Sequence, residues 1–299
     1  AGALRAELRD LTVTNTGGGA AAVAIRVTNV TPAGGLRISN VTATVSGAPE
    51  AYGTYVNASA PTIDDLTSTA AGTVRARGFM TEGASPTVTR LVAHGEAPDE
   101  AYGIINTVGS APTMTDVTAT GSGGLQNYGV AIYASSPTLR RVTADATGDA
   151  VATNRAIYMT GSTGVDVADA EATATASVHG TAWAVHISQS TATLRNVVAS
   201  AASGAVATGA EIDSSTVTIF DGSLSASAAV ENYGVRATAS VVNIIDAEVS
   251  GADASVRGVG ATTTVRVRNS VFLAGTGEQA GGASLSCESV FAGNGLVPT

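Results

Sequence analysis

SPTVTRLVA at 85–93, APTMTDVTAT at 111–120, SPTLRRVTAD at 136–145 and TATLRNVVAS at 191–200 are versions of one phrase. A second phrase alternates with it: AYGTYVNASA at 51–60, AYGIINTVGSA at 101–111, NYGVAIYASS at 127–136 and NYGVRATAS at 232–240. Self-similarity at a fixed period is the mark of a repeat architecture. One repeat reads Pro-Thr, an aliphatic residue, two polar residues, Val-Thr-Ala, a Gly/Ser loop, Tyr-Gly-Val and a small-residue turn.

An apolar column runs from end to end: Leu8, Ile38, Ile63, Val88, Met114, Leu139, Val167, Leu194, Ile219, Ile244 and Val267. Its spacings range from 23 residues (Ile244 to Val267) to 30 (Leu8 to Ile38). A second column follows three residues later: Leu11, Val41, Leu66, Leu91, Val117, Val142, Ala170, Val197, Gly222, Ala247 and Ser270. A third, two further on, is Val13, Ala43, Ser68, Ala93, Ala119, Ala144, Ala172, Ala199, Leu224, Val249 and Phe272. Polar residues alternate with these, which is strand periodicity. Leucine-rich repeats need a Leu motif that is absent, and helical repeats tolerate little Gly or Thr. The expected fold is all-β: a single-stranded right-handed parallel β-helix (β-solenoid) of about 11 coils of about 25 residues. One domain spans 1–299, with 1–8 and 280–299 as end caps.

The phrases SSPTLRRVTA and NYGVAIYASS resemble repeats of bacterial β-helix proteins in the pectate-lyase-like superfamily. The resemblance covers nearly the whole chain and implies the parallel β-helix. It does not select a function, because that fold serves lyases, hydrolases, phage tailspikes, adhesins and ice-binding proteins.

Composition narrows the classes. Hydrophobic residues make up 44% and charged residues 13% of the 299 residues, enough to fill a long core. Net charge is −9 and all 15 basic residues are Arg, so a phosphate-binding surface and nucleic acid are not expected. No run of 18 apolar residues is present, so no membrane insertion is expected. The single Cys287 has no disulfide partner and is expected as a small buried thiol. An acidic chain without Lys and with one Cys suits an extracellular or cell-surface location; a secretion signal for it would have been removed or lie outside this sequence, which starts at Ala1 without a charged-then-apolar leader.

Stacked coils turn each repeat position into a ladder. Asp10, Asn40, Asp65, Arg90, Asp116, Arg141, Asp169, Asn196, Asp221, Asp246 and Asn269 precede the second column, as a tight left-handed turn demands. From Asp65 to Asp169 the charges alternate, which predicts ion pairs between coils. Asp221 and Asp246 stack without an Arg between them. Calcium is the one cofactor such a pair suggests; a solvated turn is the plain alternative. Thr12/Thr14, Thr42/Thr44, Thr67/Thr69 and Thr118/Thr120 form a Thr-x-Thr array like an ice-binding face. Val92/His94, Thr143/Asp145 and Glu171/Thr173 interrupt it, and Thr is in any case a good strand residue.

Tyr52, Arg77, Tyr102, Tyr128, Arg155, Trp183, Tyr233 and Arg257 form an aromatic and Arg column. Exposed, Tyr52, Tyr102, Tyr128, Trp183 and Tyr233 would stack on sugar rings; otherwise they seal the loop edge over the Gly that usually follows. The loops, such as ATGSGGLQN at 119–127, are too short to wall a substrate cleft.

Asp64-Asp65 and His179-Gly180 match two short motifs of polygalacturonase-like glycosidases, but the companion Asn-Thr-Asp and Arg-x-Lys motifs are missing. Asp64, Asp65 and His179 are thus the weak catalytic candidates, and they lie about four coils, roughly 20 Å, apart. His94, His179 and His186 are dispersed and have no metal spacing. Asn29, Asn40 and Asn57 match glycosylation triplets that Thr-rich chains produce by chance. The leading expectation is a non-catalytic extracellular scaffold or adhesion module, a monomer, binding a polysaccharide or glycan. Alternatives are a polysaccharide lyase or hydrolase, a tailspike-type trimer and an ice-binding protein.

Overall fold

A computed structural model describes residues 6–31, 35–148, 152–275, 277–292 and 295–296. Every regular element among them is a strand. A coil begins with a long strand, such as Thr113–Ser122, and returns by a short one, such as Gln126–Tyr133. Long strands pair with long and short with short, so two sheets form: one of 17 strands and one of 11. Pairing is parallel throughout except for Phe291–Ala292 against Gly295–Leu296. The chain is a parallel β-solenoid.

The register follows the sequence columns. Ile38 pairs with Ile63, Ile63 with Val88, Val88 with Met114 and Leu139 with Val167. All of these are buried, as are Leu194, Ile219 and Ile244. One core cluster runs continuously from Ile25 to Val290. A single coil has no second layer to cover these side chains; the next coil supplies it.

Each long strand bends at the Asp/Asn/Arg ladder. All eleven of its members have positive φ, from 49° at Asn269 to 59° at Asp65. Asp and Asn tolerate that region because the short side chain bonds locally. Three pairs of ladder residues bond between coils: Asn40 Nδ2 donates to Asp10 Oδ1 at 2.7 Å, Arg141 Nε to Asp116 Oδ1 at 2.6 Å and Asn196 Nδ2 to Asp169 Oδ1 at 2.9 Å. Arg90 departs from the expected alternation and binds Asp64 at 2.7 Å instead of Asp65.

The sequence columns missed a second ladder. Ser59, Ser110, Ser135, Ser162, Ser190, Ser215 and Ser240 are buried where the short strand turns into the next long one. Ser190 Oγ donates to Ser188 O at 2.7 Å and accepts from Ser162 N at 3.1 Å. Ser215 repeats this with Asp213 O at 2.6 Å and Ser190 N at 3.1 Å. Backbone groups that the turn leaves unpaired are satisfied one coil away, removing a desolvation cost of about 1–3 kcal/mol each.

The ends differ from the expectation. Residues 1–5 of the anticipated 1–8 cap lie outside the described residues, and Glu7–Asn15 is already the first long strand, with Leu11 43% exposed. Within 280–299 the ladder continues: Ser284–Glu288 pairs with Thr264–Arg268, and Cys287 sits under Val267 as a further member of the first column. Burial pushes its thiol pKa up. Ser289 keeps the left-handed turn, and Phe291–Ala292 still pairs parallel with Val271–Phe272 before Gly295–Leu296 closes on it antiparallel.

Candidate functional site

The short-strand sheet carries the chemistry on its outer face. Residues 127, 130 and 132 of Gln126–Tyr133 alternate with the outward 128, 131 and 133. Gly129 breaks the alternation: a Cβ there would lie 2.6 Å from Ala156 O and 2.8 Å from Asp145 N. The Asn of the Asn-Tyr-Gly phrase faces inward and closes the preceding loop. Asn127 Oδ1 accepts from Gly124 N at 2.8 Å and its Nδ2 donates to Asn154 Oδ1 at 2.7 Å.

Two outward ladders run side by side. The first pairs Tyr52 with Arg77, Tyr102 with Tyr128, Arg155 with Trp183, and Thr208 with Tyr233. The second places Tyr158, His186, Glu211, Arg236 and Arg257 on successive coils. Arg257 therefore belongs to the second ladder, not the aromatic column where sequence spacing put it. The coil from Tyr233 to Ala254 is short, which shifts the count by three.

The aromatic column is largely self-covered. Tyr102 is 6% exposed, Tyr128 4% and Tyr233 4%. Tyr102 and Tyr128 stack with centroids 4.6 Å apart and planes 4° off parallel, so each uses a face on the other. The Arg77 guanidinium lies 4.7 Å from the Tyr52 ring centre, and Arg155 lies 4.7 Å from that of Trp183. Tyr52 donates to Glu50 Oε2 at 2.7 Å, and burial first, then that bond, pushes its pKa up to about 12. Trp183 stays half-exposed.

A network crosses the coils beside Trp183. Tyr128 OH donates to Gln126 Oε1 at 2.7 Å and accepts from Arg155 Nη1 at 2.9 Å. Arg155 Nε donates to His186 Nδ1 at 3.1 Å, and His186 Nε2 lies 3.3 Å from Asp213 Oδ2. Arg has no acceptor, so Nδ1 must be unprotonated and Nε2–H donates to Asp213: the imidazole is neutral. Burial lowers the His186 pKa, in agreement.

Glu211, one rung beyond His186, is 4% exposed. Burial raises its pKa to about 7 against the pull of Arg236, whose Nε is 3.3 Å from Oε1. The nearby Thr208 hydroxyl offsets the rise slightly without reaching hydrogen-bonding geometry. Glu211 Oε2 has no hydrogen-bond partner, and neither do Trp183 Nε1 and Thr208 Oγ1, both buried atoms. Trp183 and Thr208 are ladder partners, and Thr208 and Glu211 share the strand Val206–Asp213.

The other sequence candidates fall elsewhere. Asp64 and Asp65 lie on the long-strand sheet in Thr62–Ala71. Asp64 is held by Arg90 at 2.7 Å and Arg37 at 3.7 Å, and Asp65 is the left-handed turn residue. His179 is an exposed turn residue between Val165–Ala176 and Thr181–Ser188. The structure does not bring His179 together with the aspartates. Asp221 and Asp246 are exposed turn residues, and among the described residues no group of three or more His, Cys, Asp or Glu side chains gathers to hold a metal ion. Glu211 was missed because its repeat, ATGAEID at 207–213, lacks the Tyr that marks the phrase elsewhere. Aligning its Gly209 on Gly129 would have placed Glu211 and Asp213 outward.

No family model matches this chain, and no curated protein does. It is similar to the crystal structure of PfbA, a surface adhesin of Streptococcus pneumoniae, over 96% of this chain and 88% of that one. Identity is 7% and the TM-score 0.31, an overlap that carries no argument about function.

Proposed function

We propose that this chain is a non-catalytic extracellular or cell-surface rod that binds glycan chains on the outer face of its short-strand sheet, at Trp183. One observation carries the reading: a half-exposed indole lies beside buried polar atoms that have no partner in the protein. Buried polar groups are normally paired, and exceptions concentrate where a ligand completes them. Rings with hydrogen-bonding groups at their edge suit sugars, which present apolar faces and hydroxyl rims. Tyr52 is the other half-buried ring of the column, and Tyr102, Tyr128 and Tyr233 brace the face from within.

A second reading is polysaccharide cleavage on the same face. Glu211 and Asp213 are outward carboxyl groups two residues apart, and burial raises the pKa of Glu211 to about 7. A carboxyl group held protonated near neutral pH is suited to a general acid's role. A glycan array, with product release assayed on every polysaccharide that binds, separates the two. Binding lost in Trp183→Ala, without product, supports recognition. Product release that disappears in Glu211→Gln overturns it in favour of hydrolysis. Silence in both assays removes the glycan reading.

A further inference from the structure

We propose that the saccharide taken at Trp183 is uncharged, and that the indole swings off Thr208 to admit it. The inference rests on the glycan reading above and adds the substrate class and the moving part.

The charge argument comes first. The carboxyl groups nearest the unpaired atoms are Glu211, Asp213 and Glu231, the last on the Tyr233 strand. Three cations stand nearby and each is committed, Arg257 to the Tyr233 hydroxyl and to Glu278 at 3.7 Å. Arg236 pairs with Glu211 at 3.3 Å, and Arg155 spans Tyr128 and His186 with its face towards Trp183. His186 adds no positive charge, because Arg155 fixes it as the neutral tautomer. A uronate or sulfate group would meet carboxylates with no free cation to pair with, and a like-charge contact in a poorly solvated site is costly. A hydroxyl meets the opposite case. Saccharide hydroxyls can accept from Trp183 Nε1 and Thr208 Oγ1 and donate to Glu211 Oε2, three groups that have no partner now.

The motion follows from burial. Thr208 is fully buried although it occupies an outward ladder position between Trp183 and Tyr233. Its ladder neighbours on either side are the two rings, which the register places to cover it. Its hydroxyl, the indole N–H and Glu211 Oε2 are therefore sealed from water as well as unpaired. No ligand reaches them while the rings stay in place. Trp183 is the half-exposed cover, whereas Tyr233 is buried. Leaving three polar atoms dry disfavours the closed form, and this is what a ligand would relieve.

The chain has a single Trp, so its fluorescence reports Trp183 alone. The test titrates the full chain with two probe sets: neutral hexaoses built from glucose, mannose or xylose, and oligogalacturonate or sulfated oligosaccharides of similar length. The expected result is a saturable emission shift with a neutral hexaose and at least about tenfold weaker binding of every anionic probe. Thr208→Val removes the hydroxyl without changing the shape. It should leave thermal stability equal or higher, because a dry unpaired group is deleted, yet weaken binding about tenfold. An anionic probe that binds as well as any neutral one, with an emission shift, overturns the neutral class and leaves the glycan reading standing. Binding seen on the array without any change in Trp183 emission overturns the moving indole. If neither probe set binds by fluorescence or on the array, the glycan reading itself fails.

Discussion

Thr42, Thr67 and Thr118 stand exposed on the outside of the long-strand sheet, whereas Tyr102, Ile105 and Ala131 are buried on the outside of the short-strand sheet. Both sets obey the same rung-on-rung register. No layer of further strands covers either face among the described residues. The difference lies in side-chain size. Coils are spaced about 4.8 Å apart, so flat rings and guanidinium groups stacked along the axis touch face to face and exclude water, whereas Thr methyls and hydroxyls are too short to cover one another. A solenoid can thus bury its own outside. It then traps whatever ionisable groups the ladder carries, here His186 and Glu211, while turn carboxylates of the long-strand sheet such as Asp65, Asp116 and Asp169 stay exposed.

Substitutions at four positions break or sharpen that contrast. The largest effect belongs to Gly103→Val in the short-strand sheet. A Cβ there would lie 2.5 Å from Thr120 N and 2.7 Å from Gly129 O, backbone atoms that cannot move aside. A loss above about 3 kcal/mol is expected, read as a drop in urea midpoint. A wild-type midpoint would mean the sheets are not so tightly apposed.

Glu211→Gln is next. The folded pKa of about 7 lies above the ordinary 4.5, so between those values the folded state holds a proton the unfolded chain has released. Stability from that proton is complete below pH 4.5 and is lost as pH rises through 7, by about 3 kcal/mol at most. Gln cannot ionise. The variant should therefore lose less stability than wild type between pH 5 and pH 8 in paired denaturation curves. His186, lowered by burial, works the other way and costs stability as pH falls below 6.5. Parallel curves for the wild type and the Glu211→Gln variant would show that Glu211 is solvated.

Asp65→Val on the long-strand sheet should cost about 1–2 kcal/mol, because a β-branched residue resists the left-handed region. Its φ is 59°. Asp65→Gly should be close to neutral, and equal losses for the two would show that the carboxylate, not the backbone, matters. Smallest is Asp116→Asn, which loses an ion pair with Arg141 in open solvent. No measurable shift in melting temperature is expected at physiological salt. A clear drop would make the exposed ladder structural.

Much of the fold was legible in the residues themselves. The first apolar column keeps its register from Leu8 to Val267, and all eleven residues assigned to the left-handed turn adopt it. The glycan-face candidates were legible only in part. The column itself could be read from the spacing, but not its burial: Trp183 is half-buried, whereas Tyr102 and Tyr128 spend faces on each other. Arg257 shifted ladders because one coil is short, and Cys287 extended a column that had been ended too early.

The sequence alone determined which residues stack. Its period and alternation leave one register that buries Ile63 on Val88 and puts Asp65 at the bend. A shift of one residue would turn every apolar side chain outward. Only the tertiary structure decided what those stacks enclose. Whether Glu211 is dry, whether His186 is neutral and whether Thr208 is roofed depend on the neighbours two ladders and two coils away. Burial outside a sheet is a property of several side chains packed together, and no single repeat carries it.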